Sequence, residues 1–196
     1  MRIVVAIKQI LDPEGITVNR RRERIFINRE DRIINPADKC ALEAALRLKD
    51  AHGAEIIALS LSRPSAEDAL REALALGADQ AVLISDKALA GIDAPTAAVV
   101  LARAAERLAP FDLVLVGQTA ADTGGDQTAG RLAELLGLPQ VLHAISLTFD
   151  GERFKVVRLW DGQPVMVAVA PPALAALSPL APPARYPHGA RILNAY

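Results

Sequence analysis

The chain of 196 residues is poor in cysteine, in aromatic residues and in net charge. A single cysteine, Cys40, excludes an internal disulfide and a cysteine-based metal cluster. Aromatic residues make up 4% of the chain and hydrophobic residues 52%, so any core must be built from alanine, leucine, valine and isoleucine. The formal net charge of −1 gives no electrostatic basis for binding nucleic acid or an anionic membrane.

Long hydrophobic runs are lacking too. No stretch approaches the roughly 18 apolar residues of a membrane span. The first ten residues, MRIVVAIKQI, contain a short apolar run that Lys8 interrupts, which is typical of a core strand rather than a signal peptide. We therefore expect a cytoplasmic protein without membrane insertion.

One segment is strongly basic: RRRER, from Arg20 to Arg24. Glu30 and Asp31 follow closely, and the alternating RIFIN after it indicates a hairpin. We expect this segment to form a solvated face of that hairpin rather than a binding patch.

Apolar runs of about five residues alternate with longer helical patterns along the first two thirds of the chain. Helical patterns follow Pro36, Pro64 and Pro95, and the predicted strands cover residues 3–7, 55–60, 80–84 and 113–117. This succession predicts an α/β fold, an open parallel sheet with helices on both faces and right-handed crossovers.

The pattern changes after Pro139. Two alternating runs, RFKVVRLW and PVMVAVA, flank Asp161 and Gly162 and predict a small β-hairpin addition. Six prolines between Pro171 and Pro187 predict irregular structure for much of the C-terminal segment. We therefore divide the sequence into an α/β domain over residues 1–170 and a proline-rich tail over residues 171–196.

The stretch VLVGQTAADTGGDQTAGRLAELLG runs from a predicted strand through a glycine-rich turn into an amphipathic helix. Gly124 and Gly125 permit positive φ and close backbone approach. The helix that starts at residues 126–128 offers free N–H groups and a positive dipole end to a phosphate. Ligands of open parallel sheets bind beyond the carboxyl ends of strands, where this loop lies. The alternative is a plain loop in which Asp126 caps the helix.

Residues that could catalyse the hydrolysis of a nucleotide are scarce in this sequence. No lysine follows Gly125, as a Walker loop requires, and no G-x-G-x-x-G follows the first strand. His52, His143 and His188 are each expected to be structural or exposed, and no acid–base pair or metal cluster stands out. The loop therefore predicts a site that holds a nucleotide without hydrolysing it.

Four stretches resemble the β subunit of electron-transfer flavoproteins: VVAIKQILD, INPADKCALEAALRLKD, REALALGADQAVLI and LVLVGQTAADTGGDQTAGRLAELLGLPQ. The resemblance covers essentially the whole chain. It implies a nucleotide-binding domain of adenine-nucleotide-hydrolase-like topology that no longer hydrolyses. It also implies an electron-transfer carrier subunit without catalytic residues, paired with an α subunit that carries the redox-active FAD. In the common form the β subunit buries one AMP as a structural ligand, and in electron-bifurcating members FAD takes that place.

The family's ligand contacts carry over onto four regions of this sequence. They are Ala6, then Asn35, Pro36, Ala37 and Asp38, then Leu61, and last Gly117, Gln118, Thr119, Ala120, Ala121, Asp122, Thr123, Gly124, Gly125, Asp126, Gln127 and Thr128. The family's loop usually has a basic residue where this chain has Gln118. Because GDQTAG is nearer the AMP-type loop than the bifurcating type, the expected ligand is AMP.

The resemblance also implies partners beyond the α subunit. The family docks flavin dehydrogenases through a leucine on a loop, and Leu180 in LSPLAPPARY is the equivalent position. Members normally continue with a lysine-rich stretch and a long arm around the α subunit, whereas this sequence stops at Tyr196, so the strength of α/β assembly is left open. Two alternatives stay open: a stand-alone adenine-nucleotide-binding protein of universal-stress-protein type, and an ATP-pyrophosphatase-like enzyme, whose loop S-G-G-x-D-S is similar to TGGDQT.

Overall fold

The computed structural model describes residues 1–195. Twelve strands occur in this range: β1 (Arg2–Ala6), β2 (Gln9–Leu11), β3 (Ile16–Asn19), β4 (Arg24–Ile27), β5 (Arg32–Ile34), β6 (Glu55–Leu61), β7 (Gln80–Ile84), β8 (Leu113–Gly117), β9 (Gln140–Phe149), β10 (Phe154–Trp160), β11 (Gln163–Val169) and β12 (Ala173–Leu177).

The α-helices of the same range are α1 (Pro36–His52), α2 (Glu67–Leu76), α3 (Ala94–Arg107), α4 (Gln127–Leu135) and α5 (Gly189–Ala195). Short 3₁₀ turns cover Pro13–Gly15, Pro64–Ala66 and Lys87–Leu89. Helix α1 ends where Gly53 adopts the left-handed conformation at φ 71° and donates its N–H to the carbonyl of Lys49, as glycine does after many helices.

An eight-stranded sheet in the order β11-β10-β9-β12-β8-β1-β6-β7 forms the centre of the protein. Six neighbouring strands, from β9 to β7 in that order, are parallel, and β10 pairs antiparallel with both β9 and β11. The predicted open parallel sheet is confirmed, as is the hairpin at Asp161 and Gly162, where both residues have positive φ.

Helices cover both faces of this sheet, as the alternation of strands and helices predicts. In β1, Ile3 and Val5 point to the core beneath α1 and α2, whereas Val4 and Ala6 point to the core beneath α3 and α4. Phe154 is the one aromatic side chain among the largest fully buried groups of the described residues. The core is therefore aliphatic, in agreement with the composition.

The expectation of irregular chain after Pro171 is wrong for β12. Its five residues, Ala173–Leu177, are all buried and pair in parallel with β8 on one side and β9 on the other. The prolines lie just outside this segment, so every N–H inside it is free to join the two ladders. Residues 171–177 thus complete the sheet.

Two small antiparallel ribbons lie outside the main sheet. Strand β2 pairs with β5, and β3 pairs with β4, which confirms the hairpin predicted around RIFIN. Both ribbons belong to the excursion between β1 and α1, so they begin and end at the carboxyl end of the sheet. This edge also carries the loop after β8.

Candidate functional site

A large open cleft lies beyond the carboxyl ends of β1, β6 and β8, with a volume of about 1330 Å³. In the sheet, β1 lies between β8 and β6. The strands that directly follow β1 along the chain, β6 and β7, lie on one side of it, and β8 lies on the other, so the strand order reverses at β1. Ligands of open α/β sheets bind at such a reversal of strand order. The cleft is therefore the candidate site.

Thirteen of the eighteen sequence-predicted contacts line this cleft: Ala6, Asn35, Asp38, Leu61, Gly117, Gln118, Thr119, Ala120, Asp122, Thr123, Gly125, Gln127 and Thr128. Five lie beside the cleft without lining it: Pro36, Ala37, Ala121, Gly124 and Asp126. The structure thus brings all four predicted regions to one place.

The loop between β8 and α4 is held in a compact turn by its own backbone. Ala120 donates its N–H to the carbonyl of Gly125 at 2.9 Å, and Gly124 donates to the carbonyl of Ala120 at 2.8 Å. Gly124 has a φ of +66°, as its sequence position suggests, but Gly125 does not require a positive φ. What Gly125 provides is a surface without a side chain towards the cleft.

Asp126 precedes α4, but its side chain makes no capping hydrogen bond to the described first-turn amides. The helix cap by the Asp126 side chain, which the alternative interpretation of this loop expects, is therefore not formed. Gln127 and Thr128 of the first turn line the cleft. This helix start can offer its N–H groups to an anion.

Asn35 ties the loop after β8 to the start of α1. Its buried side chain donates from Nδ2 to the carbonyl of Thr119 at 2.8 Å and accepts at Oδ1 from the N–H of Ala121 at 3.0 Å. Both ends of the amide are thus used within the protein. Asn35 shapes the cleft wall rather than presenting a free polar group to a ligand.

Asp38 links the start of α1 to the ends of two strands, β1 and β8. Its carboxylate accepts from the backbone N–H of Lys8 at 2.7 Å, after β1, and from that of Gly117 at 2.9 Å, at the end of β8. Burial raises the pKa of this carboxyl to about 7, although the hydrogen bonds from Lys8, Asn35 and Gly117 act in the opposite direction. Asp38 is a tie between neighbouring parallel strands at the floor of the cleft.

Lys8 supplies the positive charge that position 118 lacks. Its Nζ lies 2.7 Å from a carboxylate oxygen of Asp122, and both residues line the cleft. The ion pair joins the loop after β1 to the loop after β8. A basic group is thus present at the site, although it comes from a different loop than in the family pattern.

Sequence reasoning missed one wall of the cleft, residues 85–87 and 89–95, together with Arg32, Arg63, Pro64 and Ser65. Residues 85–93 join β7 to α3 at the carboxyl edge of the sheet, and this wall continues into the start of α3. The rule that ligands bind at this edge applies to the loop after β7 as well, so it could have identified this wall. Lys87 and Arg63 add basic groups to it.

Within residues 1–195, no group of three His, Cys, Asp or Glu side chains could hold a metal ion. The same residues include no helix that is both long enough and apolar enough to cross a membrane. His143 is exposed and lies in β9, whereas His52 packs edge-on against Phe149 with ring centroids 5.6 Å apart.

We expect the free energy of unfolding to fall as the pH rises from 5 to 7. The Asp38 carboxyl ionises at its ordinary value of 3.8 in the unfolded chain but at about 7 in the folded protein, so the folded state binds more protons between these values. The loss is at most about 1.4 kcal/mol per pH unit. Urea denaturation at several pH values measures this slope.

Asp38→Asn is the matched variant for this measurement, because it removes the titrating proton at the same position. Its slope between pH 5 and 7 should be smaller than that of the unmodified chain. Asp79 and Glu43, whose pKa values are lowered, titrate below this window. Equal slopes in both proteins would contradict the assignment.

Comparison with known proteins agrees with this geometry. The family model described as "Electron transfer flavoprotein domain" matches residues 24–192. The "Electron transfer flavoprotein subunit beta" of Clostridium acetobutylicum is 37% identical over 100% of this chain and 75% of its own length, and the subunit of that name from Thermoanaerobacterium thermosaccharolyticum gives the same figures. The "Caffeyl-CoA reductase-Etf complex subunit CarD" of Acetobacterium woodii is 34% identical, with the same coverage. The chain therefore spans three quarters of the length of these relatives.

Proposed function

The chain belongs to the electron-transfer flavoprotein β-subunit family, and from this premise we propose that it binds AMP as a structural ligand and pairs with an α subunit that carries the redox-active FAD. β subunits of this family are electron-transfer carriers. In the proposed role the chain supports electron transfer from flavin dehydrogenases and acts in the cytoplasm.

One observation carries the AMP assignment: the uncapped start of α4 faces a cleft at the reversal of strand order. Gly125, Gln127 and Thr128 line that cleft, so the first turn of α4, with its unpaired N–H groups, and a threonine side chain are available to a phosphate there. Asn35 and Asp38 are engaged in holding the loops, which leaves them poor candidates for catalytic acids or bases. The arrangement favours retention of a nucleotide over its turnover.

A specific observation also favours FAD as a second candidate ligand. The cleft volume of about 1330 Å³ exceeds the roughly 300–1,000 Å³ of most small-molecule sites, so a dinucleotide has room. FAD in this position would make the protein a bifurcating-type β subunit. Mass spectrometry of the ligand released on denaturation distinguishes AMP from FAD directly.

The proposed dehydrogenase contact is Leu180. Its side chain is 74% exposed, while the next residue, Ala181, is buried. The turn is held from both sides: Leu180 donates its N–H to Ser178 Oγ at 3.2 Å, and Cys40 Sγ donates to the carbonyl of Ala181 at 3.4 Å. A rigid turn that presents one leucine loses little entropy on binding.

Arg185 anchors the chain after this turn to α1. Its guanidinium donates to Glu43 at 2.9 and 3.2 Å, and its Nη2 lies 2.8 Å from Asp50. Glu43 is buried, so water screens its attraction to Arg185 less than it screens an exposed ion pair. The segment from Ala181 to Arg185 therefore has fixed attachment points on the domain.

Leu180→Ala should reduce electron transfer from a dehydrogenase and leave the melting temperature nearly unchanged. The side chain contributes little to the core because it is exposed, whereas its burial in a partner's pocket is worth about 1.5–3 kcal/mol. This corresponds to a loss of at least about tenfold in coupling efficiency, measured by steady-state flavin reduction.

Leu193→Ala is the matched control, since Leu193 is 82% exposed and lies in α5, away from this turn in the sequence. It should behave as the unmodified protein in both assays. A large fall in the melting temperature of Leu180→Ala with normal coupling per folded molecule would show that Leu180 packs on its own domain.

Co-expression with the α subunit tests the proposed function against its two alternatives. The proposal predicts a yellow complex of the two chains in size-exclusion chromatography. A colourless homodimer with bound ATP would instead support a stand-alone nucleotide-binding protein. Measurable nucleotide turnover would support the ATP-pyrophosphatase-like alternative.

A further inference from the structure

The ion pair between Lys8 and Asp122 places a full negative charge and a full positive charge beside the start of α4. Nζ of Lys8 lies 2.8 Å from Oδ1 and 2.7 Å from Oδ2 of Asp122, and both residues line the cleft. The two side chains are 43% and 32% exposed. Asp122 belongs to the same short loop as Gly125, so its charge lies within the loop that is proposed to hold the phosphate.

Four carboxylates line the cleft, those of Asp38, Asp86, Asp93 and Asp122. Asp38 accepts two backbone N–H groups, and Asp86 and Asp93 each accept one from the helical turn that follows them. Within residues 1–195, Asp122 is the one of the four that forms an ion pair. The fold therefore pairs a cation with the carboxylate that lies in the loop between β8 and α4.

This loop does not depend on the ion pair for its shape. Two backbone hydrogen bonds close it internally, and the Asn35 side chain holds it at two further backbone groups. A partly exposed ion pair adds little stability to such a framework. The pairing of Lys8 with Asp122 therefore has a stronger basis in charge than in holding the loop.

The backbone of Lys8 is fixed independently of its side chain. Its N–H donates to the Asp38 carboxylate at 2.7 Å, and its carbonyl accepts from the N–H of Asn35 at 2.8 Å. A substitution that changes only the side chain leaves both hydrogen bonds in place. The charge of Lys8 can therefore be tested apart from the structural role of its backbone.

A carboxylate in an anion-binding loop opposes the ligand, because like charges a few ångströms apart repel each other. The start of α4 offers a phosphate the partial positive charge of its N–H groups. An uncompensated charge on Asp122 would offset this attraction. The loop therefore needs a cation on Asp122 before it can retain a phosphate, and Lys8 lies in that position.

We propose that Lys8 is a charge-compensating residue of the nucleotide site, which neutralises Asp122 and so lets the loop hold the ligand's phosphate. This inference rests on the AMP binding proposed above. It separates ligands with a phosphate from those without one. The affinity for AMP depends on the charges of Lys8 and Asp122, whereas the affinity for adenosine does not.

Isothermal titration of the full, ligand-free chain with AMP and with adenosine tests this inference. Lys8→Met keeps an unbranched side chain and removes the charge, so it should weaken AMP binding about tenfold and leave adenosine binding unchanged. Asp122→Asn should tighten AMP binding, since the Lys8 charge is then no longer neutralised. The double variant Lys8→Met/Asp122→Asn should recover most of the AMP affinity that Lys8→Met loses, because it carries neither charge.

Lys155→Met is the matched control. Lys155 lies 3.2 Å from Asp150, with side chains 47% and 37% exposed, and neither residue is among those that line the cleft. This variant should bind both ligands as the unmodified chain does. The melting temperature of each variant without ligand checks the fold. A loss of AMP affinity in the control equal to that in Lys8→Met would overturn the inference.

The other outcomes also decide. Equal losses of AMP and adenosine affinity in Lys8→Met would show that the side chain shapes the site. A double variant that binds AMP as weakly as Lys8→Met would show that the ion pair acts by holding the loop. Either result overturns the inference, as does unchanged AMP affinity in Lys8→Met.

Asp122→Asn keeps the inference testable if Lys8→Met does not fold. Unchanged or weaker AMP binding in Asp122→Asn would then overturn the inference. If the unmodified chain does not bind AMP, the proposed function fails and this inference fails with it. That result differs from one in which the unmodified chain binds AMP and the variants bind it equally well, which refutes the role of Lys8 alone.

Discussion

Replacing Gly117 with alanine should destabilise the protein by about 2–4 kcal/mol and empty the nucleotide site. A Cβ at this position would collide with the Asp38 carboxylate and would lie 2.8 Å from the backbone nitrogen of Asp38 and 2.9 Å from the carbonyl carbon of Ala37. Two of these atoms belong to the backbone of α1, so they cannot rotate away. The hydrogen bond from the Gly117 N–H to Asp38 would be lost with the displacement.

Chemical denaturation and ligand content measure the two parts of this effect. Gly130→Ala is the matched control, because Gly130 lies inside α4 and its nearest neighbour to an added Cβ is Gln140 Oε1 at 3.5 Å. Alanine favours a helix over glycine, so this control should be neutral or slightly stabilising. Stability of Gly117→Ala equal to that of the control would contradict the close contact between β8 and α1.

Replacing Gly125 with valine should leave the fold intact but abolish retention of the nucleotide. An added Cβ there meets only Thr123 Oγ1, at 3.4 Å, so the first carbon of a side chain is accommodated without moving the backbone. Because Gly125 lines the cleft beside the start of α4, the new methyl groups would occupy the space assigned to the phosphate. We expect a loss of at least about tenfold in affinity, or about 1.4 kcal/mol.

Isothermal titration of the ligand-free protein with AMP measures this loss, and the melting temperature without ligand checks the fold. Gly189→Val is the control, since no atom lies within 4 Å of an added Cβ at the start of α5. Nucleotide at normal stoichiometry in Gly125→Val would remove this loop from the site.

The sequence predicts the parallel sheet well because buried strands such as β1 and β8 are continuous apolar runs, which leave little ambiguity. Strand β12 escapes prediction for the opposite reason. Alanine and leucine favour a strand only weakly, and the prolines around Ala173–Leu177 suggest an irregular chain. What makes this segment a strand is the space between β8 and β9, two elements distant in sequence.

Part of the candidate site can also be predicted from local sequence, whereas another part depends on contacts between distant residues. The turn at Gly124 can be predicted from local sequence because its positive φ is a property of the chain itself. The roles of Asn35 and Asp38 cannot, since these hydrogen bonds reach 79 to 86 residues along the chain, to the last residue of β8 and the loop after it. In sequence they resemble an ordinary helix start, Asn-Pro followed by an acidic residue.

The central claim is that this chain binds AMP as the β subunit of a flavoprotein heterodimer. Its most direct test is to purify the full chain with the α subunit, denature the complex, and quantify the released ligands by mass spectrometry against protein concentration. The account predicts one AMP per β chain and one FAD per α chain. A stable heterodimer that releases FAD alone, at one equivalent per complex and without AMP, would contradict it.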